Sequence, residues 1–418
     1  MSKIIGILDG LLQAKRPQIE EWLGAQRDKA QPSIYSSVDL RHSGHKLAPV
    51  DTNLYPAGFN NLSPAARTRS MRNLRDRFDA MKNPPERILI VPENHTRNLG
   101  YLENLAVLAE IVALTGRDVR IGTLASEENI SLQTLTERSI TEHALVQKDG
   151  RLVTRDGFDP EFILLNNDCT SGFPEMLRGI AQPIQPSPEL GWYRRRKSEH
   201  ARVYDKLAEE FGREFGIDPW LITATSHRCG IVDFKESKGI ECVALGVERV
   251  LHHTRGKYAE HGINETPYVF IKADSGTYGM GIMTVQGGEE LMELNKKIRN
   301  KMNVIKEGTQ NTEVIVQEGI PTIDRAEDAV AEPMLYLVDG VPVGGAYRIN
   351  TERDALSNLN AAGMRFAGMC DQAECGEQGK NRVAISDCNF CVFGLVATLS
   401  TLATSRETYD SLDIGFSI

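Results

Sequence analysis

The sequence predicts a mixed fold, α/β in its middle part and α+β in its last third. In the middle, apolar runs over 87–91 and 118–124 flank a helical pattern over 99–115, and such a strand–helix–strand unit is typical of a parallel sheet. In the last third, two further apolar runs flank Asp339-Gly340, a dipeptide typical of a tight hairpin turn. The two patterns therefore predict at least two kinds of sheet in one chain.

The composition is that of an ordinary globular protein and excludes several classes of function. Of 418 residues, 25% are charged and 41% are apolar, and at about 150 residues per domain this length suggests two or three domains. A net charge of −9 disfavours a protein that binds nucleic acid through a broad basic face. The longest apolar run, 390–403, is too short to cross a bilayer, so we expect neither a nucleic acid nor a membrane partner.

The cysteines and the N-terminus bear on location. Seven cysteines are scattered along the chain, and the first ten residues do not resemble a signal peptide. We therefore expect reduced thiols and a cytoplasmic protein. The composition leaves the oligomeric state open.

The first segment, residues 1–85, is predicted to be helical at both ends of an irregular centre. That centre, 36–62, is rich in Gly, Pro and Asn, so it predicts a loop, and its apolar residues indicate that the loop packs. Long loops inside compact domains tend to be functional. Its candidate substrate-binding residues are Arg41, Asp51, Asn53, Asn60 and Asn61, of which the last four could equally make only hydrogen bonds within the loop.

The second segment, residues 86–197, carries the predicted parallel sheet, with a third strand at 162–165. Ligands of such sheets bind beyond the carboxyl ends of the strands. Four polar residues follow the first strand and are either substrate-binding or simple turn residues: Glu93, Asn94, His95 and Arg97. The segment ends in a basic run, 194–197, that we expect to be solvated, with contact to phosphate or substrate as the alternative. Ser198 is the predicted N-cap of the next helix.

The third segment, residues 198–418, contains a lysine at the end of a predicted strand, 268–272, followed by a glycine-rich loop and a second strand. The residues concerned are Lys272, Ser275, Gly276, Thr277, Tyr278, Gly279 and Gly281. Glycine lets backbone N–H groups approach phosphate oxygens, and the lysine adds positive charge. The loop joins two strands, so it is neither a Walker A nor a Rossmann loop. A purely structural hairpin is the alternative.

The order of these parts resembles that of ATP-grasp ligases, because a later predicted strand ends in Gln317-Glu318. The chain as a whole resembles the ATP-grasp-like glutamate–cysteine ligases (gamma-glutamylcysteine synthetases) of proteobacteria, from about residue 36 to about residue 403. The segments that carry the resemblance are 49–61, 93–98, 272–281, 316–319, 331–333 and 358–364.

The resemblance implies a fold and a reaction. The fold would be a parallel-sheet, pre-ATP-grasp-like domain followed by an ATP-grasp-like domain. The reaction would join the γ-carboxylate of L-glutamate to the amine of L-cysteine, with ATP and Mg²⁺ as cofactors and an acyl phosphate as intermediate. The products would be γ-glutamylcysteine, ADP and phosphate, in the first step of glutathione biosynthesis.

The resemblance also implies roles for residues. Lys272 and the glycine loop would hold phosphates, Gln317 and Glu318 would contact adenine, and Arg348 would act in catalysis. Planar guanidinium groups suit carboxylates, so Arg41 and Arg97 are the other candidates for glutamate. The predicted magnesium ligands are Glu332, Asn358 and Asn360, with Asp387 and Asn389 as the competing pair.

Other functions remain open at this point. The spacing of Cys370, Cys375, Cys388 and Cys391 would suit a zinc-binding interaction protein. Residues 358–363 also resemble a stretch of glutathione synthetase, which implies a different pair of substrates. A nucleotide-binding regulator without catalytic activity is the third alternative.

Overall fold

The structure, a computed structural model, describes residues 2–94, 97–276, 281–302, 312–370 and 389–407. The helices are α1 (Lys3–Lys29), α2 (Pro64–Asp79), α3 (Leu99–Ala113), α4 (Lys197–Phe215), α5 (Ile240–His261), α6 (Lys296–Met302) and α7 (Phe390–Thr404). The strands are β1 (Tyr35–His42), β2 (Leu47–Asn53), β3 (Arg87–Pro92), β4 (Asp118–Thr123), β5 (Ile130–Gln133), β6 (Ser139–Lys148), β7 (Arg151–Thr154), β8 (Phe162–Asn166), β9 (Ile184–Gln185), β10 (Ser226–Gly230), β11 (Val269–Ala273), β12 (Ile282–Val285), β13 (Glu313–Glu318), β14 (Arg325–Ala326), β15 (Ala329–Val338), β16 (Val341–Ile349) and β17 (Arg365–Gly368).

A parallel sheet forms in the middle of the chain, as predicted. Its strand order is β5-β6-β4-β3-β8-β9, and β3 pairs in parallel with both β4 and β8. Helices α2 and α3 pack on one face in a core that includes Phe78, Leu105 and Ile90. Strands β5, β6 and β7 extend the sheet and were not predicted. This region corresponds to the second segment, although the division into 1–85, 86–197 and 198–418 stays a prediction.

An antiparallel sheet joins the two ends of the chain, in the order β17-β16-β15-β1-β2. The prediction of a loop over 36–62 is wrong here, because β1 and β2 lie in that range. Val38 and Leu40 are fully buried, and most of the polar residues of β1 are buried with them. These polar residues resemble a loop only because their partners lie far along the sequence.

The predicted hairpin around Asp339-Gly340 is confirmed. Val338 pairs with Val341, and both turn residues have positive φ, 52° and 69°. This is the conformation that a two-residue turn between right-twisted strands requires.

A second antiparallel sheet has the order β10-β13-β11-β12 and carries the glycine loop between β11 and β12. Lys272 pairs with Ile282, so the loop closes a hairpin as predicted. Helix α5 covers one face of this sheet through Val243 and Val247. Because side chains alternate along a strand, the other face presents Lys272 and Gln317 towards β2 and α4.

Helices α4 and α7 fill the space beside the two antiparallel sheets. Helix α7 is buried along nearly its whole length and packs with α1 and α4 in one core. In the described part of the chain, no helix is long and apolar enough to cross a membrane. The prediction that Ser198 caps α4 is wrong, because the cap residue is Arg196 and the Ser198 N–H donates instead to Asp274.

Candidate active site

Lys272 lies in a wall shared by two cavities. The first, which we call the loop cavity, has a volume of about 630 Å³ including its open mouth and reaches the glycine loop at Ser275 and Gly276. The second, which we call the helix cavity, has a volume of about 470 Å³ on the same measure and runs along α4. The wall common to both consists of Val50, Asp51, Lys197 and Lys272.

The Lys272 ammonium is placed by two acceptors. Its Nζ donates to Gln317 Oε1 at 2.7 Å and to the Val50 carbonyl oxygen at 3.3 Å. Burial lowers the pKa of Lys272 to about 8, the charge of Asp51 opposes this shift, and Lys197 adds to it. A half-buried, poorly compensated ammonium is suited to an anionic ligand, which would restore its charge balance.

Four charged side chains meet at the floor of the loop cavity. Glu332 lies between two arginines, with Arg41 Nε 2.8 Å from Oε2 and Arg348 Nη1 2.6 Å from Oε1. Arg348 Nη1 also lies 2.8 Å from Asp39 Oδ2. All four residues line the cavity, and Asp39 was not predicted because β1 was taken for a loop.

Burial and charge act in opposite directions on the two acids of this cluster. Burial raises the pKa of Asp39 above its ordinary value even though Arg348 opposes the shift. Burial also works against ionisation of Glu332, but Arg41 and Arg348 together lower its pKa below the ordinary value. Glu332 therefore remains an anion inside the cavity.

Asn358 and Asn360 also line the loop cavity. They form a compact turn, in which the Asn360 N–H donates to Asn358 Oδ1 at 3.1 Å. Gly276 has φ of +89°, a conformation that favours glycine. Several predicted site residues lie outside the described residues, namely His95, Thr277, Tyr278, Gly279 and Asp387.

The prediction that the basic run 194–197 is solvated is wrong, because its side chains are buried or half-buried. Lys197 Nζ lies 2.6 Å from Asp51 Oδ1 in the shared wall, and its backbone N–H donates to the Asp274 carbonyl oxygen at 2.8 Å. Arg195 is only 2% exposed and forms a double hydrogen bond with Glu407. Sequence reasoning considered Lys197 only as part of the basic run, because its acidic partner lies 146 positions earlier.

Gln317 and Glu318 were predicted together as contacts of adenine, but their side chains point to opposite faces of β13. Gln317 lines the helix cavity, whereas the Glu318 side chain lines neither cavity. Glu318 is 1% exposed, and its Oε2 accepts from Lys46 Nζ at 2.6 Å. Strand alternation is the physical reason, since neighbouring side chains of β13 point to opposite faces.

The remaining predicted substrate residues lie away from both cavities. Asn53 makes a local turn with Tyr55, and the segment with Asn60 and Asn61 is held by Asn104, which accepts from the Gly58 and Phe59 N–H groups. Glu93 is buried, and its N–H donates to Tyr101 Oη. Asn94 and Arg97 are exposed.

The structure describes only two of the four cysteines of the zinc hypothesis, since Cys375 and Cys388 lie outside the described residues. Cys370 is exposed, and Cys391 is disulfide-bonded, which contradicts the expectation that all seven cysteines are reduced. Within the described ranges, one cluster has the spacing of metal ligands, formed by Asp218, Glu260 and His261. There the Lys257 ammonium lies 3.1 Å from Asp218 and 2.9 Å from Glu260 and occupies the position of a cation.

Comparison with known proteins gives one family over nearly the whole chain. A family model described as glutamate-cysteine ligase matches residues 9–408. A crystal structure from Methylobacillus flagellatus KT, provisionally described as a gamma-glutamylcysteine synthetase, is 39% identical with a TM-score of 0.86, over 97% of each chain. D-alanyl-alanine synthetase A from Vibrio cholerae O1 biovar eltor str. N16961 matches at 10% identity and a TM-score of 0.28, over 63% of this chain and 67% of that one. At this TM-score the two folds are not alike. A comparison with curated proteins finds no match.

Proposed function

The chain belongs to the glutamate–cysteine ligase family, and from that premise we propose that it carries out its reaction in the loop cavity and the shared wall around Lys272. The enzyme is a ligase that forms a carbon–nitrogen bond, yields γ-glutamylcysteine for glutathione biosynthesis, and depends on ATP. The location of the site within the fold and the roles of individual residues are our proposal.

One observation supports placing the active site in the loop cavity. The loop cavity brings together a lysine at the end of β11, the start of the glycine loop, and the cluster of Arg41, Arg348 and Glu332. Cations and backbone N–H groups stabilise phosphate, and phosphoryl transfer depends on positioning and charge more than on covalent chemistry by the protein. Of the two cavities at Lys272, the loop cavity combines these features.

ATP would bind with its phosphates against Lys272 and the loop. Among the described residues, the Lys272 ammonium has only neutral acceptors as hydrogen-bond partners, so an incoming phosphate would supply the missing negative charge. Ser275 and Gly276 line the cavity beside it. We propose that Thr277, Tyr278, Gly279 and Gly281 complete this phosphate contact.

The predicted magnesium ligands have the oxygen donor atoms that Mg²⁺ prefers. Mg²⁺ prefers oxygen ligands and takes few from protein, and Glu332, Asn358 and Asn360 all line the loop cavity. When bound there, Mg²⁺ would supply positive charge against the phosphate oxygens. Both Glu332 oxygens contact arginines, so those contacts would have to be shared with the ion.

Glutamate would present its γ-carboxylate to the terminal phosphate in the same cavity. A carboxylate is a poor acyl donor, and its phosphorylation gives an acyl phosphate that the cysteine amine can attack. Arg348 is the proposed catalytic arginine, because it lines the cavity and its Nε is buried without an acceptor among the described residues. A closing glycine loop would keep water from the acyl phosphate.

The finer parts of the account are also proposals. We propose an ATP-grasp-like architecture for the third segment and a cytoplasmic location. Glutamate plus cysteine is preferred to the substrates of a glutathione synthetase because the family match covers residues 9–408. The residues near the parallel sheet, including Asn60 and Arg97, stay predicted substrate contacts.

The experiment is an ADP-release assay on the purified full-length chain with a small panel of amino acids. We expect ADP and phosphate in equal amounts, formed only when glutamate, cysteine and Mg²⁺ are all present, together with γ-glutamylcysteine by mass spectrometry. Absence of ADP with this pair, or formation of AMP and pyrophosphate, would show that the proposed reaction is wrong.

A further inference from the structure

Arg41 lies where four separate parts of the chain meet at the loop cavity. It belongs to β1, and its Nε lies 2.8 Å from Glu332 Oε2 on β15. Its guanidinium carbon lies 5.9 Å from the centre of the Phe270 ring on β11. Its two terminal nitrogens donate to the segment between β16 and β17, residues 350–364, which we call the asparagine loop. Arg41 therefore connects the two antiparallel sheets to one loop.

The contacts of Arg41 with the asparagine loop are made to backbone oxygens. Nη1 donates to the Ala355 carbonyl oxygen at 3.2 Å, and Nη2 donates to the Ser357 carbonyl oxygen at 2.7 Å. With Glu332, all three side-chain nitrogens have an oxygen partner in the protein, and Arg41 is only 3% exposed. A substrate carboxylate would have to displace or share these contacts, so the geometry does not favour the glutamate-binding role that the sequence predicts for Arg41.

The asparagine loop carries two of the three predicted magnesium ligands. Asn358 is folded onto its own turn, because its Oδ1 accepts from the Asn360 N–H at 3.1 Å and its Nδ2 donates to the Asn360 carbonyl oxygen at 3.2 Å. The Asn360 side chain lines the loop cavity and makes no hydrogen bond with any residue in the described ranges. Its amide oxygen is therefore available to a cation, as long as the turn is held at the cavity.

We infer that Arg41 is a positioning residue, which assembles the magnesium site by holding the Glu332 carboxylate and the asparagine loop in one fixed arrangement. It acts through these two partners and does not contact glutamate. The inference rests on the proposed function, because Glu332 and Asn360 must first be ligands of Mg²⁺. It gives Arg41 a role in the site that the sequence motifs do not indicate.

The coordination chemistry of Mg²⁺ is the physical reason for such a residue. Mg²⁺ requires nearly octahedral geometry with short oxygen distances, so donors from separate segments must be fixed relative to one another. Glu332 is fixed by its strand, whereas the asparagine loop contains no helix or strand. Arg41 is bonded to both. The Thr322 N–H also donates to the Ala355 carbonyl oxygen at 3.0 Å, so the loop keeps an attachment when Arg41 is replaced.

The test replaces Arg41 with lysine, which keeps the positive charge and removes the planar fork. Titration calorimetry on the full-length chain compares ADP binding in excess Mg²⁺ with ADP binding in EDTA. The unaltered protein should bind ADP at least about tenfold more tightly with Mg²⁺, and Arg41→Lys should reduce that ratio to about two, while KM for glutamate stays within about twofold. An unchanged ratio, or a KM for glutamate that rises as much as the ratio falls, would overturn the inference.

Arg117→Lys is the matched control, because Arg117 has the same kinds of partner as Arg41 but lines neither cavity. It pairs with one acid, Asp79, and donates to two backbone oxygens, that of Pro85 at 3.2 Å and that of Thr115 at 2.9 Å. The effect of Mg²⁺ on ADP affinity should stay at the value of the unaltered protein. If Arg117→Lys lowered the ratio as far as Arg41→Lys does, the effect would be general destabilisation and the inference would be overturned.

Hydrogen exchange on the unaltered protein avoids any dependence on folding of the variant. The Asn360 N–H is bonded within the turn, and a metal that binds the turn should slow its opening. Exchange of peptides covering 354–360 should slow at least about threefold when Mg²⁺ replaces EDTA in the ADP-bound protein. Exchange that is equal in both conditions would overturn the inference. Failure of the proposed function is separate, since it would appear as no γ-glutamylcysteine from the unaltered protein, whatever the effect of Mg²⁺ on ADP binding.

Discussion

Two buried glutamates of the same half of the molecule, Glu332 and Glu318, have opposite surroundings. Glu332 is 3% exposed and lies between two arginines at the floor of the loop cavity. Glu318 is 1% exposed and pairs with Lys46, whose ammonium lies 3.9 Å from the centre of the Trp220 ring. Both were predicted as site residues, but Glu332 faces a cavity and Glu318 does not.

The comparison separates two uses of buried charge. Around Glu332 the cations can exchange partners with a ligand, because the cluster lines an open cavity. Around Glu318 the ion pair is sealed, by which we mean that Lys46 and Glu318 are both about 1% exposed and line neither cavity. Glu318 Oε1 has no hydrogen-bond partner among the described residues. Breaking a sealed pair leaves an uncompensated charge and destabilises the fold. The Glu332 cluster should therefore affect activity, and the Glu318 pair should affect stability.

The largest effect is expected at Lys272, on the wall beside the Glu332 cluster. Lys272→Ala should lower kcat by about 10³-fold or more, because removing a preorganised charge from the reacting phosphates costs this order of rate. The melting temperature should change little, since the lysine is half-buried and its charge has limited compensation. Steady-state ADP release checks this, and retained activity would contradict the phosphate assignment. Lys257→Ala, in the cluster at Asp218 and Glu260, is the control and should keep full activity.

The next effect concerns stability and the sealed pair. Glu318→Gln should lower the free energy of unfolding by about 3 kcal/mol, because Lys46 would lose its buried counter-charge. Activity per folded molecule should stay within about threefold of the unaltered enzyme. Urea unfolding measures the first quantity, and active-site titration with turnover measures the second. A loss of kcat as large as that of Lys272→Ala, with unchanged stability, would show that Glu318 belongs to the site.

Glu332→Gln should give the reverse pattern. We expect kcat to fall by about 10- to 100-fold and the Mg²⁺ concentration for half-maximal rate to rise, because a neutral amide is a weaker partner for both the ion and the arginines. Arg348 keeps Asp39, and Arg41 keeps the carbonyl oxygens of Ala355 and Ser357. Unfolding free energy should therefore fall by only about 1 kcal/mol. Normal kinetics with a large stability loss would place Glu332 with the sealed pairs.

The smallest predicted effect is a pH dependence. Burial lowers the pKa of Lys272 to about 8, so the free enzyme loses this positive charge as the pH rises through 8. kcat/KM for ATP should then fall, by up to about tenfold per pH unit. In Lys272→Arg the guanidinium stays charged, so the decline should disappear below about pH 10. A decline that persists unchanged in that variant would assign it to another group.

The parts of the fold predicted correctly depend on local signals. The strand over 87–91, the hairpin turn at Asp339-Gly340 and the glycine loop between two strands are all specified by residues next to one another. Strand β1 was missed because its polar residues find partners about 300 positions away, Asp39 with Arg348 and Arg41 with Ser357. No local pattern shows such pairing.

In the candidate site, too, the residues that belong to local motifs were predicted and those brought in by distant contacts were not. Lys272, Glu332 and Arg348 come from motifs and do line one cavity. Lys197 and Asp205 belong to no motif, and only the position of α4 against β2 and β13 brings them to the cavities. Glu318 was assigned with Gln317 as a pair, and the alternation of a strand separates them.

The central claim is that the γ-carboxylate of glutamate is phosphorylated by ATP in the cavity beside Lys272. Turnover with glutamate labelled with ¹⁸O in the γ-carboxylate tests it most directly. The account predicts one ¹⁸O atom in each phosphate released, by mass spectrometry, because the carboxylate oxygen leaves with the phosphoryl group. Unlabelled phosphate formed together with γ-glutamylcysteine would contradict it.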